Sequence, residues 1–284
     1  MKKFIIFGFM MTLFASLVFT LNIVVTIKPY ALIIEDIVGD RAVVHTLIKP
    51  GVNPHTFSPK VSDIKMLSSA DLVIMNGLNL EEFLVEKLKN MKSKVDVFQV
   101  SDLIPMKVLE KLNGKKKPIN PHVWLSIELL TKYIVPGITE ELCQFDENDR
   151  EYFRRNSEFL ITELEKLEDK YSDILLKYSN KSVLVYHPSF YYFFKEYGIK
   201  VVSVSEGHGD EPTIRRLMKI IKSVEKNDIV AIFGEKQQNL EPIKLISKQT
   251  GVPFEVLDPL GCDEQNIIEL FEKNFEGILK VLRK

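Results

Sequence analysis

The sequence predicts an α/β protein of two lobes, each with a mostly parallel sheet flanked by helices, joined by one long rigid helix. Short β-branched runs alternate with helical patterns before residue 147 and again after residue 178, and this alternation is typical of parallel sheets. Between them, residues 147–178 hold a charged helical pattern, which gives a rod of roughly 45 Å at 1.5 Å per residue. The 284 residues also exceed a typical domain of about 100 to 150 residues.

The first 21 residues are interpreted as an export signal. Lys2 and Lys3 precede an uncharged apolar stretch over residues 4–19, which is the order of charge and apolar residues in such signals. Asn22 interrupts the apolar stretch, and residues 23–27 are β-branched enough to form a strand, so a cleaved signal is favoured over a retained membrane anchor. The anchored form stays open as the alternative.

These boundaries place the N-terminal lobe at residues 22–146, and local signals divide it into elements. Ser58 and Pro59 predict the start of a helix, as its cap and first helical residue. Pro136 predicts a kink or an interruption of the helix at 127–142. In chain order the predicted elements are strand 23–27, helix 30–38, strand 43–48, helix 59–69, strand 72–75, helix 80–90, strand 95–100 and helix 127–142.

After the connecting helix at 147–178, the C-terminal lobe is placed at residues 179–284, where the alternation restarts. The predicted elements are strand 182–186, helix 190–197, strand 201–204, helix 213–225, strand 229–233, helix 240–250, strand 254–257 and a closing amphipathic helix 264–282.

Charge and cysteine content narrow the classes of function. With 38 basic and 39 acidic residues the net charge is −1, so the chain lacks the excess positive charge that holds a phosphate backbone, and nucleic acid is excluded as a partner. Cys143 and Cys262 fall in different predicted lobes, and we interpret them as two buried thiols and not as a disulfide.

Four residues in loops are candidate metal ligands. His55, His122 and His187 each lie beside a proline, and Asp258 follows the last predicted strand, again beside a proline. Successive candidates are 65 to 71 residues apart, too far for a local zinc motif, so only the tertiary fold can assemble them. Proline stiffens the loops that present these side chains.

The predicted sheets explain how these loops meet. Ligands of open α/β sheets bind at the carboxyl ends of strands, so a cleft between two such sheets would receive two ligands from each lobe. Three imidazoles and one carboxylate suit a tetrahedral divalent metal. In the alternative interpretation, each histidine caps a helix or bonds a backbone carbonyl.

Four other residues are weighed as possible contacts. His208 lies in a polar loop that could bind a second ion, although an ordinary surface loop is preferred. His45 is interpreted as a strand residue outside the site, and Cys262 as a packed thiol that does not reach the metal. Trp124 is expected to pack behind His122.

Five segments carry a resemblance to a known family. They are residues 24–29, 47–58, 69–77, 120–125 and 257–261, and they closely resemble the zinc/manganese solute-binding proteins of bacterial ABC importers. The resemblance implies two α/β lobes joined by a long helix, with the metal held between them. His55, His122, His187 and Asp258 match the four ligand positions of that family.

Three features bear on the kind of member. Manganese members commonly have glutamate where this chain has His187, so the resemblance implies zinc, in line with the preference of Zn²⁺ for imidazole. Residues 107–119 contain no histidine, unlike the His-rich loop of many zinc members. No cysteine follows the apolar segment, so a lipid attachment point is absent from the sequence given.

The resemblance therefore implies a periplasmic or otherwise extracytoplasmic monomer that captures Zn²⁺ and delivers it to an ABC importer permease without performing a reaction. A Mn²⁺ receptor of the same type stays open. So does a zinc hydrolase, because three protein ligands and an open position activate water, although Asp258 would close that position. An adhesion protein on the same scaffold is a further alternative.

Overall fold

The computed structural model describes residues 21–91, 95–114, 118–204 and 212–283. These residues form two parallel four-stranded sheets flanked by helices, with one long helix between the lobes, which confirms the predicted fold class. The first strand begins at Leu21. The rest of the predicted export signal lies outside the described residues, and no helix within them is long and apolar enough to cross a membrane.

The N-terminal sheet contains β1 (Leu21–Val25), β2 (Ala42–Thr46), β3 (Leu72–Met75) and β4 (Asp96–Gln99). Their order is β2-β1-β3-β4, and every neighbouring pair is parallel. All four residues of β3 are buried, as expected for a central strand covered on both faces. The helices of this lobe are α1 (Lys28–Val38), α2 (Val61–Ser68), α3 (Glu82–Lys89), α4 (Met106–Asn113), α5 (Ile127–Leu129) and α6 (Val135–Phe145).

In this lobe the predicted start of one helix is wrong, one helix was missed, and the predicted effect of Pro136 is confirmed. Helix α2 begins at Val61 and not at Pro59, because the Asp63 carboxylate accepts a hydrogen bond of 2.7 Å from the Lys60 N–H and caps the first turn from within. Helix α4 was not predicted. Pro136 interrupts the predicted helix 127–142, since a π-helical turn over Leu130–Ile134 separates α5 from α6 where proline cannot donate.

The C-terminal sheet repeats the arrangement with β5 (Ser182–Val185), β6 (Lys200–Ser203), β7 (Ile229–Glu235) and β8 (Phe254–Leu257). The order is β6-β5-β7-β8, again parallel throughout. Helix α7 (Arg150–Leu176) precedes this lobe, whose own helices are α8 (Tyr191–Glu196), α9 (Ile214–Val224), α10 (Glu241–Thr250) and α11 (Ile267–Leu282).

Helix α7 joins the two lobes along a buried stripe. Its 27 residues span about 40 Å, and it packs against α1 and α6 of the first lobe and α11 of the second. Tyr171 stacks on Phe275 of α11 with ring centroids 4.4 Å apart. One apolar core runs through both lobes and this helix, whereas the outer face of each sheet has a smaller core of its own. The inner faces of the lobes are therefore held in one packed unit.

Candidate metal site

Three of the four predicted ligands meet between the lobes. The His122 Nε2 atom lies 3.3 Å from Nε2 of His55 and 3.3 Å from Nε2 of His187, and candidate ligand atoms of all three side chains lie within 4.8 Å of one another. A tetrahedral zinc with Zn–N bonds of about 2.05 Å separates its nitrogens by about 3.3 Å. The two spacings from His122 therefore match those of nitrogens bound to one zinc ion.

His55 is presented by a short turn after β2. The turn Pro54–Thr56 is a 3₁₀ helix, and the Asn53 side chain accepts a hydrogen bond of 2.9 Å from the His55 N–H. Proline fixes φ at the start of the turn, and the asparagine satisfies a donor there. Together they orient an imidazole that is only partly buried.

His122 is oriented by Asn120. The Asn120 Oδ1 atom accepts a hydrogen bond of 2.9 Å from the His122 N–H and lies 2.7 Å from His122 Nδ1. Because an amide oxygen only accepts, Nδ1 carries the proton in this pairing, and the lone pair of the neutral ring is on Nε2. That is the nitrogen that faces the other two imidazoles.

The ligand loops of the two lobes are also bonded to each other. The Asn120 Nδ2 group donates to the Pro188 carbonyl at 2.7 Å, and the Tyr192 hydroxyl donates to the Asn120 carbonyl at 2.8 Å. Trp124 packs against His122, as predicted, with ring centroids 5.0 Å apart, and its Nε1 donates to the Pro259 carbonyl at 2.8 Å. Three hydrogen bonds thus cross between the lobes directly behind the histidines.

His187 lies two residues beyond the end of β5 and is buried. The Ser189 hydroxyl, two residues further on, donates to Glu235 Oε1 at 2.6 Å. Glu235 ends β7 and lines the same pocket as the three histidines. Burial raises the pKa of Glu235 to about 8, and the charge of Asp258 adds to that shift, so the carboxyl is protonated at neutral pH.

Asp258 lies beside this pocket, but within the described residues it is not part of the three-histidine group. Its carboxylate accepts hydrogen bonds from five neutral donors and pairs with Lys236 Nζ at 3.2 Å. The neutral donors are the backbone N–H groups of Leu260, Gly261 and Cys262, the Gln237 side chain and, at 3.7 Å, the Cys262 thiol. Burial raises the pKa of Asp258, but these contacts outweigh burial and hold the pKa below its usual value.

The backbone around Asp258 is built to receive an anion. Gly261 has a φ of +67°, which is unstrained for glycine, and successive N–H groups here converge on one carboxylate as in a backbone nest. The Asn274 side chain holds the peptide of Asp258 from α11, donating to its carbonyl at 2.8 Å and accepting from its N–H at 2.9 Å. The carboxylate is therefore both ionised and fixed.

The other weighed residues lie outside the histidine group. His45 is exposed in β2. Both cysteines are free, as predicted, but Cys262 is only partly buried, and its Sγ accepts a hydrogen bond of 3.2 Å from Gln237 Nε2. His208 lies outside the described residues.

Three residues that support the site were not singled out from the sequence. Asn120 stands two residues before His122, and this spacing of a short amide from a ligand was an available signal. Glu235 and Lys236 stand at the carboxyl end of β7, where ligands of parallel sheets bind. Their position at the end of a strand could have indicated the site from the sequence. Their contacts with Ser189 and Asp258 could not, because these residues lie in other loops.

The pocket at the histidines is small. It is lined by the three imidazoles together with residues from the loops after β7 and β8, and its volume is about 20 Å³. A single water needs about 10 to 15 Å³, and pockets for organic ligands usually measure about 300 to 1,000 Å³. The space suits an ion.

Comparison with known proteins agrees with this arrangement. The model of the family described as "Zinc-uptake complex component A periplasmic" matches residues 23–281. The chain is 38% identical over 284 residues, all of both chains, to a Thermotoga maritima protein named for metal binding. It is 30% identical over 246 residues, 82% of this chain and 78% of the relative, to the manganese ABC transporter substrate-binding lipoprotein PsaA of Streptococcus pneumoniae.

Among solved structures, a crystal structure of ZnuA superposes with a TM-score of 0.80 at 27% identity, covering 93% of this chain and 99% of that one. The fold and site define a two-lobed metal-receptor class. The chain belongs to the zinc-uptake component A family of ABC-importer substrate-binding proteins, which confirms the resemblance inferred from the sequence. Members of this family are receptors and not enzymes, and both zinc and manganese occur among the names of its relatives.

Proposed function

We propose that this protein is an extracytoplasmic receptor that captures one Zn²⁺ between its lobes and delivers it to the membrane permease of an ABC importer. The observation that carries the proposal is the meeting of three imidazoles from two lobes, in which His122 Nε2 lies 3.3 Å from Nε2 of both His55 and His187. In the proposed function, the ligands are His55, His122 and His187. The protein acts as a monomer, and an amino-terminal signal exports it.

Asp258 is proposed as the fourth ligand. Its neighbour Leu260 lines the histidine pocket, and its low pKa keeps it ionised, as a metal ligand must be. Its charge also adds to the raised pKa of Glu235, which lines the pocket. To bind the ion, Asp258 exchanges one of its present donors for the metal.

Zinc is proposed over manganese because three of the four ligands are imidazoles, and a harder ion prefers oxygen-rich sites. The PsaA relative is named for manganese, so a Mn²⁺ receptor is the second candidate. A hydrolase is disfavoured, because a pocket of about 20 Å³ has little room for a substrate beside the ion.

Titration of the metal-free protein with zinc, in competition with a chelator of known affinity, tests the proposal. We expect one Zn²⁺ per chain and, in a mixture of both metals, occupancy by zinc over manganese. The sample loaded with zinc should hydrolyse no ester, peptide or phosphate substrate above the rate of free zinc. If the protein binds neither metal stoichiometrically, the proposal that it is a metal receptor is wrong.

A further inference from the structure

We propose that Lys236 is an internal counter-ion that competes with the metal for Asp258, so that it lowers the affinity of the site and speeds release of the ion. The proposal rests on the proposed function, in which Asp258 is a ligand. It adds a residue that sets how tightly the receptor holds its cargo.

The geometry places Lys236 between two carboxylates. Its Nζ lies 3.2 Å from Asp258 Oδ2 and 2.9 Å from Asp263 Oδ2. The two partners differ in environment, because the Asp258 side chain is 6% exposed and the Asp263 side chain is 76% exposed. Lys236 thus pairs at once with a buried carboxylate at the site and with one in solvent.

Lys236 differs from the other groups that contact Asp258. Backbone N–H groups, the Gln237 amide and the Cys262 thiol supply hydrogen bonds but no net charge. Of the side chains that contact this carboxylate in the described ranges, Lys236 carries a full positive charge, and its flexible stem lets the ammonium move. Lys236 is therefore the contact most strongly opposed by an arriving divalent cation.

A metal bound to Asp258 would neutralise the carboxylate that Lys236 now pairs with, and two cations on one carboxylate repel each other. Lys236 can relieve that repulsion by keeping only Asp263, which already lies within 2.9 Å. The ion pair between Lys236 and Asp258 is lost only when the metal is bound, so its loss lowers the affinity for the metal. Because Lys236 is 39% exposed, solvent screening limits the effect to about three- to tenfold in affinity.

The test compares variants of the full chain by chelator competition with zinc and by stopped-flow zinc release. Lys236→Met and Lys236→Gln should each bind zinc about three- to tenfold more tightly and release it more slowly, whereas Lys236→Arg should behave as wild type. Lys244→Met is the matched control, since that lysine pairs with Glu241 on the surface of α10. Unchanged affinity in both Met and Gln variants, or Arg behaving like Met, would overturn the proposal.

A double-mutant cycle separates exchange between partners from the general field of nearby charges. Asp263→Asn should weaken zinc binding in the wild-type background, because Lys236 then has Asp258 as its remaining partner. In the Lys236→Met background the same substitution should have no effect. Equal effects in both backgrounds would show that Asp263 acts on the metal through its charge alone. That result would overturn the exchange of Lys236 between the two carboxylates.

His122→Ala keeps this inference distinct from the proposed function. If His122→Ala does not weaken binding, the ligand assignment itself fails. If it does, and the Lys236 variants match wild type, the receptor stands and the role of Lys236 is wrong.

Discussion

The two lobes have the same strand order, and in each a buried glutamate lies near the carboxyl end of the sheet, yet these two carboxyl groups have different surroundings. Glu81 and Glu235 are 1% and 5% exposed. Each accepts a hydroxyl hydrogen bond of 2.6 Å, from Thr26 in the first lobe and from Ser189 in the second. The difference lies in the remaining contacts.

In the N-terminal lobe, Glu81 also accepts from the backbone N–H groups of Asn76 at 2.8 Å and Gly77 at 3.0 Å. Asn76 in turn donates to the Pro121 carbonyl at 3.0 Å, beside His122. In the C-terminal lobe, Glu235 lines the metal pocket itself. The first carboxyl group supports a ligand loop from behind, whereas the second faces the site.

Removing one imidazole from each lobe has the largest expected effect and tests whether both lobes bind the ion. His122→Ala and His187→Ala should each weaken zinc binding by at least about a hundredfold, because a lost ligand costs more than a lost supporting contact. The metal-free fold should persist, since both residues lie in loops. Chelator competition measures the affinity, with the exposed His45→Ala as control. Wild-type affinity in either variant would remove that lobe from the site.

Asn120 tests how the lobes are coupled. Asn120→Ala loses both the contact with His122 and the bond to Pro188, and should weaken zinc binding about ten- to hundredfold. Asn120→Asp keeps the oxygen that orients His122 but loses the amide donor to Pro188, so it isolates the bond between the lobes. We expect the Asp variant to bind within about tenfold of wild type. If Asn120→Ala binds as wild type, orientation by Asn120 is unimportant.

His187, the proposed histidine ligand from the C-terminal lobe, tests the selectivity of the site for zinc over manganese. His187→Glu changes the proposed donor set from three nitrogens and one carboxylate to two of each, which favours harder ions. The ratio of the manganese dissociation constant to the zinc dissociation constant should fall by about tenfold or more. The ratio is the measure, and not the absolute affinity, because manganese stands lowest in the intrinsic affinity order. Competition in one buffer measures the ratio. A ratio equal to that of wild type would remove the reason for proposing zinc.

The two buried glutamates give the smallest expected effects. Glu81→Gln replaces an oxygen that accepts from a backbone N–H, so the metal-free protein should lose about 1 to 3 kcal/mol of unfolding free energy. Glu235→Gln should cost less at pH 7, because a carboxyl with a pKa of about 8 is already protonated there. Urea unfolding measures both. A larger loss in Glu235→Gln would reverse the comparison.

The raised pKa of Glu235 predicts a pH dependence of stability. Between about pH 4.5 and pH 8, the Glu235 carboxyl is protonated when folded and ionised when unfolded, so folding takes up a proton and this contribution to stability falls as pH rises through that range. Wild type should therefore lose more unfolding free energy between pH 6 and pH 9 than Glu235→Gln does. Parallel losses would contradict the raised pKa.

The sequence predicts much of the fold because its strands are short, apolar and β-branched, and the periodicity of α7 is long enough to be unambiguous. Helix boundaries are predicted less well. The sequence contains two possible caps for α2, Ser58 and Asp63. Ser58 predicts a start at the next residue, whereas the observed hydrogen bond from the Lys60 N–H to Asp63 starts the helix at Val61. The π-helical turn before α6 shows that Pro136 marks an interruption without specifying its form.

The candidate site was also predicted in part from the sequence. His55, His122 and His187 could be found because each lies beside a proline in a loop, and the structure brings them together. Asp258 had the same sequence signature, but the contacts that hold its carboxylate come from the loops after β7 and β8. The bond from Asn120 to Pro188 depends on how the lobes pack, which no local pattern encodes.

Anomalous diffraction at the zinc edge, from crystals of the zinc-loaded protein, tests the central claim most directly. We expect one strong peak between the lobes, about 2.0 to 2.1 Å from Nε2 of His55, His122 and His187, with an Asp258 oxygen at about 2.0 to 2.2 Å. A peak elsewhere, or one bound by histidines of a single lobe, would contradict capture of the ion between the two lobes.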